Sequence, residues 1–289
     1  MDLFVPKRAA AAVLALSLIC LAALAPSAAE ATVPGKPGLI AFNLLTFPGG
    51  GEPTGGLYAI EPGQPQPRQL TDNPRDYDPS FAPSGKQLVF RRIGTSQPGI
   101  YTLDLGSDTT TRLLSRGDDL DPAFGPRGMI AFLGFSRQTG SYDLFLRLRN
   151  GRLRQLTSTS ATEGAPVFTP DGGRILFSRR YGHVVALDRR TSSLPALYSI
   201  RIDGTGLRLI GTARKENFDL SPTGDHLAFA GVGGISYSPD GRQIAYANHK
   251  GLWVRRADGQ GQPALVLAAD YNGYEAGQLL IQPTWQPLP

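Results

Sequence analysis

An octapeptide pattern recurs along this chain at a fixed spacing, and that spacing limits the fold more than any other feature. Asp78-Pro79-Ser80-Phe81-Ala82-Pro83-Ser84-Gly85 precedes the apolar run Leu88-Val89-Phe90. Asp121-Pro122-Ala123-Phe124-Gly125-Pro126-Arg127-Gly128 precedes Met129-Ile130-Ala131-Phe132, and Ala165-Pro166-Val167-Phe168-Thr169-Pro170-Asp171-Gly172 precedes Ile175-Leu176-Phe177. The second prolines, Pro83, Pro126 and Pro170, lie 43 and 44 residues apart, the period of one four-stranded blade of a β-propeller. Weaker copies stand at Leu220-Ser221-Pro222-Thr223-Gly224 and Tyr237-Ser238-Pro239-Asp240-Gly241, and a last one at Pro283-Thr284-Trp285-Gln286-Pro287.

Each unit continues alike. An aromatic-apolar segment follows the second strand: Leu57-Tyr58-Ala59-Ile60, Ile100-Tyr101-Thr102-Leu103, Leu144-Phe145-Leu146, Leu197-Tyr198-Ser199-Ile200 and Leu252-Trp253-Val254. A fourth strand closes the unit, as in Arg68-Gln69-Leu70-Thr71, Arg154-Gln155-Leu156-Thr157 and Arg208-Leu209-Ile210. Asn150-Gly151, Asp171-Gly172, Asp203-Gly204, Asp240-Gly241 and Asp258-Gly259 put glycine where hairpin turns need a positive φ. The prolines flank first strands, where a missing ladder donor is tolerated. No segment beyond the first thirty residues keeps a helical apolar period.

This order of Asp-x-x-Pro-x-aromatic-Ser-Pro-Asp-Gly, Ile-Ala-Phe, Ile-Tyr and Leu-Thr resembles the WD-like repeat of the TolB C-terminal propeller, from about Gly38 to Pro287. TolB carries an α/β domain before its propeller, and this chain is expected to lack it. The resemblance implies a platform that binds another protein or an envelope component through one face.

The ends of the repeat register predict how the ring closes. Leu39-Ile40-Ala41-Phe42 matches a second strand with no first strand before it, while residues 283–287 match a first strand with nothing after it. The two halves are expected to complete one blade, with Trp285 in the slot of Phe81 and Phe124, which removes two open sheet edges. Pro222 and Pro239 are only 17 residues apart, so the fifth blade is expected to keep only its inner hairpin. The expectation is thus an all-β, single propeller of six blades with a truncated fifth; five blades is the alternative. Arg179 to Pro195 reads as an insertion between the second and third strands of blade four.

The first thirty residues read as an address. Lys7 and Arg8 precede an uncharged run from Ala9 to Ala25, Pro26 breaks it, and Ser27-x-Ala29 and Ala29-x-Ala31 both suit signal peptidase. The expected division is a signal peptide over 1–29, with cleavage after Ala29 or Ala31, a short linker over 30–37 and the propeller over 38–289. An uncleaved anchor is the alternative. Ile19 stands where a lipidation signal before Cys20 would need a small residue. The mature chain is expected to be a periplasmic or secreted monomer without a membrane span. Cys20 is the only cysteine, so no disulfide is expected in the oxidising compartment. Loss of Asp2, Lys7 and Arg8 takes the formal charge from +5 to +4, far from the basic stripe of a nucleic-acid binder.

Motifs for chemistry are sparse. The sequence holds no Gly-x-Ser-x-Gly elbow, P-loop, dinucleotide fingerprint or His-Glu-x-x-His, each of which places a nucleophile, phosphate cradle or metal. His183, His226 and His249 read as loop residues, and no cofactor is expected. Two charged groups stand out. Asp76, Asp78, Asp119, Asp121 and Glu163 precede the first strands of three successive blades, where a propeller has the mouth of its channel. Carboxylates converging there suit a basic peptide segment or a hard cation such as Ca²⁺; the alternative is that each caps its own turn. Arg147, Arg149, Arg152 and Arg154 flank Asn150-Gly151, and a two-residue turn would pair 149 with 152 and 147 with 154, clustering four guanidinium groups for anionic partners. The alternative is a charged, solvated sheet edge. The sequence therefore points to an exported binding platform without catalysis of its own. The competing reading is an extracytoplasmic enzyme of the glycan lyase or glycosidase kind with carboxylates at the channel mouth.

Overall fold

The computed structural model describes residues 35–48, 51–181, 195–212, 217–230, 233–269 and 277–289. The expected signal peptide over 1–29 and residues 182–194 of the insertion lie outside the described residues. Strand β1 (Lys36–Phe47) begins inside the expected linker and is followed by β2 (Thr54–Ile60) and β3 (Arg68–Gln69). Blade two comprises β4 (Asp76–Phe81), β5 (Gln87–Arg92), β6 (Gly99–Asp104) and β7 (Thr109–Leu114). Blade three comprises β8 (Leu120–Phe124), β9 (Ile130–Ser136), β10 (Ser141–Arg147) and β11 (Leu153–Gln155), with one 3₁₀ turn at Pro126–Gly128. Blade four comprises β12 (Thr162–Phe168), β13 (Arg174–Arg180), β14 (Ala196–Arg201) and β15 (Arg208–Thr212). A two-stranded sheet of β16 (Asn217–Leu220) and β17 (Leu227–Ala230) follows. The last blade holds β18 (Ile235–Tyr237), β19 (Gln243–Asn248), β20 (Gly251–Arg256) and β21 (Ala264–Ala268), after which β22 (Gly277–Leu288) returns to blade one.

The result is a single propeller with five four-stranded blades and one hairpin blade, the hairpin standing fifth. The inner strands β22, β4, β8, β12, β16 and β18 each pack on the next and the last on the first, so the short blade keeps its place in the ring. No helix among the described residues is long and apolar enough to cross a membrane.

Second strands carry the core because a neighbouring blade covers each of their faces. Phe42, Phe90, Phe132 and Phe177 are fully buried. Each stacks on the aromatic of the third strand beside it, with ring centroids 6.5 Å apart for Phe42–Tyr58, 5.7 Å for Phe90–Tyr101, 5.6 Å for Phe132–Phe145 and 6.0 Å for Phe177–Tyr198. The paired Ile-Ala-Phe and Ile-Tyr segments of the repeat are thus one aromatic ladder, which adds to burial. The glycines ending two of the three repeat octapeptides, Gly85 and Gly172, serve the contact between blades. At Gly172 (φ 64°) a Cβ would fall 2.2 Å from the Pro126 ring of the preceding blade, and at Gly85 (φ 68°) it would strike the Pro287 carbonyl.

Closure occurs as the repeat register requires. β22 lies antiparallel to β1, with Trp285 opposite Ile40 and Thr284 opposite Ala41. The tail strand is longer than the expected residues 283–287, because Leu44–Phe47 continue the pairing back to Leu280–Gly277. Trp285 is buried with Ile40, Phe42 and Leu280 of its own blade and Ala245, Leu252 and Val254 of the last blade. The insertion of blade four starts later than expected: Arg179 and Arg180 are paired strand residues of β13.

Trp285→Ala should lower unfolding stability by about 3–5 kcal/mol, read from urea denaturation. Trp285→Phe should cost less, because the indole Nε1 has no hydrogen-bond partner. Truncation after Gly277 should yield an aggregating protein in size-exclusion chromatography; a soluble, equally stable truncation would sink the closure.

Candidate functional site: the central channel

The channel is built from one tetrapeptide per blade. Asp78, Asp121, Ala165 and Gln282 occupy equivalent places, each before a proline and each at positive φ (54°, 46°, 47° and 57°). The residue before proline disfavours the right-handed helical region, and here each such residue opens a bulge, seen as register shifts between Tyr77 and Ser80, Leu120 and Ala123, and Gly164 and Val167. A bulge takes a backbone N–H out of its own ladder, and the neighbouring blade receives it. The Asp78 N–H donates to Gln282 Oε1 at 3.1 Å, the Asp121 N–H to the Asp78 carboxylate, and the Ala165 N–H to Asp121 Oδ2 at 3.4 Å. The next level repeats the device: the N–H groups of Phe124, Tyr237 and Trp285 donate to Ser80 Oγ (3.1 Å), Asp219 Oδ2 (2.7 Å) and Ser236 Oγ (3.2 Å). Side-chain acceptors at the channel wall therefore link blade one to two, two to three, three to four, five to six and six to one.

The cavity measures about 220 Å³, and Asp78, Asp121, Asp219, Gln282, Ser236 and Trp285 are among its lining residues. Burial first, then the neighbouring Asp121 charge, pushes Asp78 up to about 7 against the pull of Arg91, with which it forms an ion pair. Burial likewise raises Asp121, opposed chiefly by Arg91, and raises Asp219 to about 6. Asp219 escaped the sequence reading because its blade lacks the Asp-Pro pair. The usable signal was its place one residue before Leu220, which fills the aromatic slot.

The five carboxylates expected at the channel mouth separate into two sets. Asp78 and Asp121 line the channel; Asp76, Asp119 and Glu163 do not. Those three are buried and belong to a recurring pair between first and second strands. Arg92 binds Asp76 through Nε and Nη2 at 2.6 and 2.8 Å, and its guanidinium lies 4.7 Å over the Tyr101 ring. Arg179 binds Glu163 at 2.6 Å and lies 4.6 Å over Tyr198. In blade three Gly134 occupies the arginine's place, and Arg116 reaches the same spot from outside the sheet, 3.3 Å from Asp119 and 4.9 Å over Phe145. Leu44 opposite Leu280 replaces the pair in blade one.

The arginine hairpin is also corrected. Gly151 N bonds Leu148 O, Leu148 N bonds Arg152 O, and Gly151 has φ 83°. This is a three-residue turn with a glycine bulge. It shifts the register by one, so Arg147 faces Leu153 and Arg154 faces Leu146. Arg147 and Arg154 thus lie on opposite faces, and Arg154 Nη1 donates instead to Ile202 O of blade four at 2.8 Å. Arg149 and Arg152 are exposed at the tip.

Among the described residues no three His, Cys, Asp or Glu side chains are placed to share a metal ion. The Ca²⁺ expectation finds no ligand set there, since Arg91 faces the two channel carboxylates. His226 is exposed with Nδ1 2.7 Å from Asp225, His249 is exposed, and His183 lies outside the described residues.

A ring of radial sheets around a channel walled by first strands, closed by a strand from the other end of the chain, is a β-propeller. No family model matches this chain, and no curated protein sequence does. Among solved structures it is similar to TolB from Acinetobacter baumannii, with a TM-score of 0.63 and 19% identity over 86% of this chain and 67% of that one. It is also similar to Kuenenia stuttgartiensis hydrazine synthase, with a TM-score of 0.58 and 14% identity over 90% of this chain and 48% of that one. The chain thus has the fold of a TolB-like propeller, and identities this low carry the fold alone.

Two measurements test the paired carboxylates. Asp119 is raised to about 7 by burial, with neither oxygen well hydrogen-bonded. Between pH 4 and 7 an unfolded aspartate loses its proton while the folded one keeps it, so its contribution falls as pH rises through about 7. Asp119→Asn should therefore gain about 1–2 kcal/mol over the parent at pH 8 and lose that advantage near pH 4, read from thermal melts. Arg179→Met should cost about 3–5 kcal/mol by stranding Glu163, and adding Glu163→Leu should restore most of it.

Proposed function

We propose that this protein is an exported propeller that binds a protein or cell-envelope component through its channel face and performs no catalysis of its own. The observation that carries this reading is the prior engagement of the channel carboxylates. Asp78, Asp121 and Asp219 each accept a backbone N–H from the next blade, and Asp78 is also tied to Arg91 and Gln282. A general acid or base needs a free proton path to a substrate, whereas fixed acceptors suit recognition. Three carboxylates against one guanidinium leave the wall acidic once ionised, which fits a basic segment of a partner. Export rests on the basic, apolar and small-residue order of residues 7–31.

One observation favours the enzymatic alternative: Asp78 and Asp121 are neighbours with raised proton affinity in a cavity, an arrangement that active sites use. Asp78→Asn with Asp121→Asn separates the two readings, because amide oxygens still accept the N–H bonds while the charge is lost. Affinity capture from envelope extract should lose its partners in this variant. For the parent it should strengthen from pH 6 to pH 8 as Asp78 and Asp219 ionise. Capture that ignores the substitutions would clear the channel of binding, and turnover of an envelope glycan that vanishes in the variant would establish the enzyme.

A further inference from the structure

Among the described residues, the hairpin blade leaves a place open at the periphery of the ring. Elsewhere the second strand pairs with a third; β17 pairs with β16 alone among the described residues. Its burial shows the loss: Leu227, Phe229 and Ala230 are only partly buried, where Leu88, Val89 and Phe90 of blade two are fully buried.

Register and packing define the two flanking walls. On blade four, Leu176 and Leu197 pack on Phe218 and Leu220, so that face turns toward the hairpin. Alternation along the strands and the pairings Arg174–Arg201 and Ser199–Arg208 put Arg174, Ser199, Arg201 and Arg208 on the same face. On the last blade, Ile244 and Tyr237 pack on Ala228. The pairings Ile244–Arg255, Tyr246–Trp253 and Trp253–Leu265 then place Tyr246, Trp253, Arg255 and Leu265 on the face toward the hairpin. Leu265 is 49% exposed, and Trp253 and Tyr246 are half-buried, as expected where the strand that would cover them is missing.

The arginine wall is crowded. Arg174 donates to Ser199 Oγ and to Gly206 O, and its guanidinium is pushed below the usual range by burial, then by Arg208 and Arg201. The nearest acids are occupied in their own turns: Asp171 by Thr169 and the Gly173 N–H, Asp203 by Thr205. Like charges beside one another on a sheet face are unfavourable, and an acidic ligand relieves them. An unpaired strand edge selects an extended backbone. The opposite wall offers aromatic and aliphatic surface.

We propose that the space beside β17 binds an extended, acidic segment of a partner protein, which adds to the free edge as the missing third strand with its carboxylates on Arg174, Arg201 and Arg208 and its apolar side chains toward Trp253 and Leu265. This site is separate from the channel and does not depend on the reading given to it. Two end-blocked, rhodamine-labelled octapeptides test it on the full-length protein by fluorescence anisotropy, one alternating Glu and Val, the other alternating Lys and Val. The acidic peptide should bind saturably and at least tenfold more tightly than the basic one. N-methylation of its alternate backbone amides should abolish binding, which needs no protein variant. Arg201→Glu with Arg208→Glu, both exposed, should weaken it at least tenfold at an unchanged melting temperature, and Arg149→Glu with Arg152→Glu on the blade-three hairpin should not. Equal affinity for both peptides, affinity that survives N-methylation, or affinity untouched by the Arg201 and Arg208 substitutions would each overturn the proposal. Pairing of two copies of this chain through β17, seen as a dimer in sedimentation that the peptide fails to dissociate, would overturn it as well.

Discussion

The antiparallel pairing of β22 with β1 is the contact on which the molecule depends. It joins segments more than two hundred residues apart in sequence, and the only cysteine, Cys20, lies in the leader-like segment, so hydrogen bonds and burial alone must hold the ring. Beyond removing two sheet edges, the pairing completes each system that runs around the disc. Gln282 is the acceptor for the Asp78 N–H, Ser236 for that of Trp285, and Gln286 Nε2 donates to Gly85 O at 2.7 Å. Loss of the tail would leave buried donors at the channel wall unpaired as well as a hole where Trp285 packs, and unpaired buried polar groups cost more than the bonds they replace return.

The same ring logic explains carboxylates that look functional in sequence. A bulge before proline frees an N–H in blade after blade, and an oxygen-bearing side chain on the previous blade satisfies it. Aspartate suits that position because it is short and accepts only. One step outward, Asp76, Asp119 and Glu163 pair with arginines that lie flat on an aromatic ring. Such buried pairs contribute little net stability against an apolar alternative, and the Leu44–Leu280 pair in blade one is such an alternative. Arg116 reaching the site that Gly134 vacates shows that, where a blade keeps the acid, the cation can come from outside the sheet.

Truncating one blade breaks the symmetry of the disc only at its edge. The inner hairpin keeps six first strands around the channel, and the loss of two outer strands falls on the periphery, where, among the described residues, no strand pairs with the outer edge of β17. The channel wall and the periphery beside β17 therefore draw on different residues.

The repeat period, the closure by the tail, the short fifth blade and the turn glycines were all legible in the sequence, because each depends on local pattern: alternation with period two, proline and glycine at set offsets, and spacing between copies. The channel placement of Asp78 and Asp121 was legible for the same reason. The separation of Asp76, Asp119 and Glu163 from them was not, because the positive-φ bulge opens at Asp78 and Asp121 themselves and turns them to the channel, while the residues two places earlier precede it, as Asp76 does in regular pairing with Arg92. The arginine hairpin failed on a single residue of register, since Asn-Gly serves two-residue and three-residue turns alike and one residue reverses every face. Asp219 was missed because its blade lacks the Asp-Pro pair, and the walls beside β17 were invisible because they are assembled from different blades. Strand pattern and turn chemistry are properties of neighbours along the chain, and the sequence settles them; which side chains meet across blades depends on bulges and on how the ring closes, and only the folded disc decides that.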